Sequence, residues 1–259
     1  MAEVLISPGV LARENDQSQI TAGPIQAGAA IIGPTVKGQE DIPTLVTSYS
    51  EYQAAFGSTF LSGSNQYTFF TSISAYNYFQ NGGSTLLVTR VTPGAFSEAS
   101  SSLINTGSLG STVPSGISPF VLSTLAEGNI MNSEGPVGSN GTLASGSSDN
   151  FRWEITSPNT SSGVFSLLLR QGNDTQTSKQ VVETYSNLSL DPLAPNYISK
   201  VIGDQVQTVR GTGTDVYLQS SGSYPNASRF IRVSAVNAQT PNYFDNAGTP
   251  KDIFTGSIP

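Results

Sequence analysis

The chain contains neither histidine nor cysteine. That removes Ser–His and Cys–His nucleophiles and the usual zinc shells, all of which need an imidazole or a thiolate. Carboxylate chemistry is what survives: an acid and a second carboxyl facing each other across a cleft, drawn from Asp149, Glu154, Asp191 or Asp204. Their spacing sets no two of them face to face, and a solvated carboxylate is the ordinary case. Gly172-Asn173-Asp174 and residues 245–248 lack the alternating acids and terminal Glu of a calcium loop. Residues 33–38 lack the glycine and lysine spacing of a phosphate loop. The residues therefore read as non-enzymatic, with no catalytic, cofactor-binding or metal-ligating position and no cofactor.

Charge narrows the partners. The net charge is -7 and the sequence pI about 4.5, which disfavours nucleic acid, because phosphate contacts need clustered Lys and Arg. No stretch approaches the roughly 20 apolar residues of a membrane helix, so membrane insertion is not expected. Charged residues are only 11% of the chain, about half the usual share, which goes with either poor solubility or a surface largely covered by partners. The 12 Phe and 10 Tyr argue for packed cores over disorder.

The element that orders the rest is residues 67–91, YTFFTSISAYNYFQNGGSTLLVTRV. Phe69, Phe70, Ile73, Tyr76 and Phe79 recur at helical spacing, which predicts a helix burying that stripe. Asn81-Gly82-Gly83 supplies a left-handed stop. Residues 85–91 then read as a strand covered on both faces. Upstream, residues 27–33 and 44–47 are short strands. Ser48 and Glu51 match a capping box, with Ser48 as N-cap and Glu51 reaching back to its N–H; Gly57 ends that helix. Together these make an α/β unit too short of strands to close its own sheet.

Residues 93–150 are broken by Ser- and Gly-rich loops. Residues 151–156 alternate as a half-buried strand, and 164–169 with 179–185 suggest a long hairpin. The expected fold is a multidomain chain with an α/β body (an incomplete α+β sheet unit) and an inserted β-rich domain. The predicted division is an extended arm over 1–20, the body over 21–92 and 186–259, and the protruding β-rich domain over 93–185. The arm has no helical period; Pro8 suits an extended or edge segment, and Val4, Leu5, Ile6 and Val10 give it more aliphatic surface than a free tail needs.

Several of these stretches resemble the tail sheath proteins of contractile-tailed bacteriophages. The likeness opens with Ser7-Pro8-Gly9-Val10 and Glu14, and continues through Ala30-Ile31-Ile32-Gly33, Lys37-Gly38 and PTLVTSYSEYQAAF ahead of Gly57. Tyr78-Phe79-Gln80-Asn81-Gly82-Gly83 with Val88, Arg90 and Val91 is its most specific part. It extends over 165–170, 188–192 and 196–204. The order of these segments carries it.

The resemblance implies a structural subunit of a contractile tail. Such subunits stack as rings into a helical homo-oligomer around a tube protein, meet baseplate and tail terminator proteins, and contract to drive the tube through the host envelope. It implies assembly in the host cytoplasm and residence in the virion. It also implies that Val4, Leu5, Ile6, Pro8, Gly9 and Val10 link neighbouring subunits by strand addition. Family members run longer and complete the inner domain with a later segment, so this chain is expected to be an N-terminal portion. The alternative from another class is a β-rich receptor-binding or adhesin-like protein that presents residues 93–185 as its binding face.

Overall fold

The computed structural model describes residues 28–62, 65–92, 97–102, 118–127, 129–131, 149–171 and 174–259. It is a mixed α/β protein, mostly strand, arranged in several small sheets with few helices. The arm over 1–20, including Val4, Leu5, Ile6, Pro8, Gly9 and Val10, lies outside the described residues.

The α/β layer begins with β1 (Ala29–Gly33) and β2 (Thr44–Val46), then α1 (Tyr49–Phe56). A hairpin of β3 (Thr59–Ser62) and β4 (Asn65–Thr68) follows. Next come α2 (Phe70–Gln80) and β5 (Leu86–Arg90). β5 lies in the centre of a three-stranded sheet, parallel to β1 and antiparallel to β2. Val46, Tyr52, Phe56, Ala75, Leu86 and Val88 form its buried cluster.

Two local signals work as their chemistry dictates, each with a change of detail. Ser48 caps α1, accepting from the Glu51 N–H at 3.1 Å. The reciprocal bond, however, goes one residue further back: the Glu51 carboxylate accepts from the Thr47 N–H (2.9 Å) and hydroxyl (2.8 Å), not from Ser48. At the end of α2, Gly82 takes the left-handed conformation (φ 88°). Its N–H reaches Phe79 O and that of Gly83 reaches Tyr78 O, a Schellman stop. Gly83 serves by close approach: a Cβ there would lie 2.2 Å from the Tyr78 ring.

Two expectations fail. Of the stripe predicted to bury α2, Phe70 (85% exposed), Ile73 and Tyr76 point outward, and only Phe69 and Phe79 are half-buried. Thr71, Ser72 and Ala75 face inward instead, with Tyr78 and Phe79 half-buried beside them. Small side chains let the helix approach the sheet closely: a Cβ on Gly33 of β1 would meet Thr71 Oγ1 at 2.6 Å. β5 is also covered on one face only. Leu86, Val88 and Arg90 are buried, whereas Leu87 and Thr89 are half-buried and their neighbour Ile32 is exposed.

The second core is all strand at its centre. β6 (Glu98–Ser102), β7 (Phe120–Glu127) and β14 (Ile231–Val236) form one sheet in the order β14-β7-β6. β8 (Asn129–Met131), β9 (Asp149–Asn159), β10 (Val164–Gln171) and β11 (Val181–Ser189) form another, with the expected hairpin pairing β10 to β11. α3 (Ile198–Ile202) stops at Gly203, and β12 (Val206–Arg210) pairs with β13 (Tyr217–Ser221) as an exposed ribbon. α4 (Asp252–Thr255) is a single turn.

The cluster beneath joins Phe120, Trp153, Phe165, Leu167 and Leu169 to Leu188, Leu190, Ile198, Ile202, Ile231 and Val233. The boundary at 185/186 runs through β11, and Leu188, Leu190, Ile198, Ile202, Ile231 and Val233 bury in the β-rich core, while Val209, Tyr217 and Leu218 of the β12–β13 ribbon stay exposed. Pairing places β14 in that core: it takes β7 as its ladder partner from Ile231↔Thr124 to Val236↔Phe120.

Candidate functional site: the carboxylates, the cleft and the outer face of α2

Three of the four carboxylates offered for catalysis are engaged in local bonds. Glu154 accepts from Arg170 Nη1 at 2.8 Å and pairs with Lys179. Asp191 accepts from the Leu193 and Asn242 N–H groups, and Asp204 from those of Ser223 and Tyr224. Of Asp149 only the backbone is described, at the start of β9. Asp245 closes a turn on the Ala247 and Thr249 N–H groups. Among the described residues no group of three potential ligands could hold a metal ion.

Asp174 belongs to an ion-pair cluster, not to a calcium loop. Its two oxygens take a forked pair from Arg170, Nε at 2.6 Å and Nη2 at 2.8 Å, with the Gln180 N–H at 2.9 Å. Both side chains are almost wholly buried (Arg170 2%, Asp174 0% exposed). Burial pushes the Asp174 carboxyl up, but the Arg170 fork, the Gln180 N–H and the charges of Arg170 and Arg152 outweigh it and hold it below the carboxylate range. Arg170, bonded to Asp174 and Glu154, is pushed further up. The cluster ties the end of β10 to the loop that follows.

The two cores meet across a cleft of about 820 Å³ lined by Phe56, Glu51, Phe151, Glu183, Arg229 and Phe230 among others. Arg90 links the two cores: the fully buried guanidinium donates from Nη1 to the carbonyls of Gly38 and Glu127, the latter at 3.1 Å. Glu127 returns the link, its carboxylate accepting from the Glu40 N–H at 2.8 Å. Burial pushes Glu127 above the usual carboxylate range, only partly offset by the Glu40 N–H and Arg90. Glu183 is held by Ser228 and the Arg229 N–H. Arg90 and Glu127 thus bind one core to the other, whereas the Glu183 contacts lie within the β-rich core.

The feature sequence reading missed is the outer face of α2, where Phe70, Ile73 and Tyr76 stand exposed beside Tyr67 of β4. Two signals pointed to it. Thr71, Ser72 and Ala75 offer a second, small-residue stripe at helical spacing, and no charged residue occurs between Glu51 and Arg90. No helix among the described residues is long and apolar enough to cross a membrane. Comparison with known proteins adds no relative: no protein-family model and no curated protein matches the chain.

Proposed function

We propose that the chain is a structural subunit of a contractile phage tail sheath, without enzymatic activity, which polymerises around the tail tube and contracts to drive it through the host envelope. The observation that carries this reading is the ordered set of sheath-like segments, from Ser7-Pro8-Gly9-Val10 to residues 196–204. Those within the described residues coincide with structural punctuation: PTLVTSYSEYQAAF supplies β2 and capped α1, and Tyr78-Phe79-Gln80-Asn81-Gly82-Gly83 supplies the stop of α2. The engagement of Glu154, Asp191 and Asp204 in local bonds also favours a structural role over a hydrolytic one.

On this reading the α/β layer and the β-rich core are two domains, joined through Arg90 and Glu127. Neighbouring sheath subunits, the tail tube protein, and the baseplate and terminator proteins are the partners. Val4, Leu5, Ile6 and Val10 add a strand to a neighbour's sheet. The test is assembly of the complete gene product bearing these residues, with and without Leu5→Asp or Ile6→Asp. Both variants should abolish assembly and leave thermal stability nearly unchanged. Normal assembly by both would remove the linker role of the arm.

A further inference from the structure

Phe70 stands 85% exposed, with Tyr67 (48%), Tyr76 (45%) and Ile73 (42%) beside it. Single exposed apolar side chains are ordinary, but a contiguous aromatic group on one helix face marks a contact surface. The surface is braced from behind. Phe60 stacks on Tyr67 at 5.9 Å and on Phe69 at 4.6 Å, and Tyr76 meets Tyr49 edge-on at 5.1 Å. The inward residues of α2 are small and buried, so the large ones cannot turn in without displacing the helix from β1.

Charge identifies the occupant. Residues 52–89 form the longest span of the chain without Asp, Glu, Lys or Arg, and they supply β3, β4, α2 and most of β5. A second copy also carries a net charge of -7, so association elsewhere sets like charges against each other. A basic partner would be drawn to carboxylates, of which this face has none. Contacts between identical chains are more apolar than other interfaces, with charged side chains depleted and aromatics enriched. We propose that the outer face of α2, centred on Phe70, Ile73 and Tyr76, is a contact between copies of this chain. The choice of a second copy rests on the assembly reading above; the surface does not.

The absence of cysteine provides the test. Ser74 is exposed on the same face, whereas Ser220 is exposed on the β12–β13 ribbon. Single-cysteine variants Ser74→Cys and Ser220→Cys would be reacted with a water-soluble maleimide over rising protein concentration, alongside sedimentation velocity. Self-association should protect the thiol at position 74, leave that at 220 reactive, and weaken at least tenfold when Phe70→Asp or Ile73→Asp is added. A circular dichroism melt shows that these exposed-site variants fold. Concentration-independent reactivity with a monomer up to about 1 mM overturns the proposal. So does association that both Asp variants leave intact, or protection seen only when a different protein is added. Tubes formed by the complete gene product carrying Phe70→Asp would sink this contact and leave the sheath reading standing. Association through α2 without tubes would do the reverse.

Discussion

The hydroxyl of Tyr78 donates to the carbonyl of Thr85 at 2.8 Å, bridging the last turn of α2 to the residue before β5. The ring lies over Gly83 and its hydroxyl faces Gly28, so one side chain fixes helix, turn and strand together. Tyr78→Phe should cost about 1 kcal/mol, the net worth of one hydrogen bond. Phe79→Ala, at a half-buried ring, should cost about 2 kcal/mol, short of the 3–5 typical of a fully buried aromatic. Urea unfolding measures both, and a Phe79→Ala cost larger than that of Tyr52→Ala would contradict the burial order.

The adjacent glycines should fail for different reasons. Gly82 has φ 88° and open space around it, so Gly82→Val should cost roughly 1–3 kcal/mol from backbone strain alone, and Gly82→Asn much less. Gly83→Ala drives a methyl into the Tyr78 ring and should be rescued by Tyr78→Leu. Equal costs for Gly82→Asn and Gly82→Val would refute the conformational explanation.

How these positions could be read in advance differs from case to case. The Gly82 stop and the Ser48 cap are legible because backbone geometry demands particular residue types locally. The face of α2 is not, because two stripes compete at the same helical period. Close approach to Gly33 selects the small one, which only the tertiary partner reveals. The Ser-rich β6 is illegible for a related reason: its ladder partner β7 supplies the apolar surface. The burial of Ile231 and Val233 in the β-rich core rests on the pairing of β14 with β7, a contact more than a hundred residues apart.

Breaking the Arg170–Asp174 pair leaves a buried guanidinium without its fork, so Asp174→Asn should cost roughly 3–5 kcal/mol. The Asp174 pKa is lowered on folding. Its contribution is therefore complete above the ordinary value of 3.8 and is lost as pH falls below that toward the depressed folded value. Wild type should show this acid-side loss in melts taken across that range, and Asp174→Asn should lack it. A flat acid limb in both proteins would contradict the assignment.

Glu127 should behave in the opposite sense. Its pKa is raised on folding, so between its ordinary value of 4.5 and the raised one the folded state holds the extra proton and stability falls as pH rises. Glu127→Gln keeps an acceptor for the Glu40 N–H without the charge. It should match or exceed wild type at neutral pH, with the difference closing below pH 4.5. A neutral-pH loss above about 2 kcal/mol would show that the ionised carboxylate is needed, as partner to the buried Arg90.

The most direct measurement is electron microscopy of the complete gene product that carries these residues, purified without any other tail protein or with its tube. The account predicts tubes of regular diameter built from stacked rings, absent in Leu5→Asp. A monodisperse small oligomer that binds glycan or cell surface and never forms tubes would contradict it.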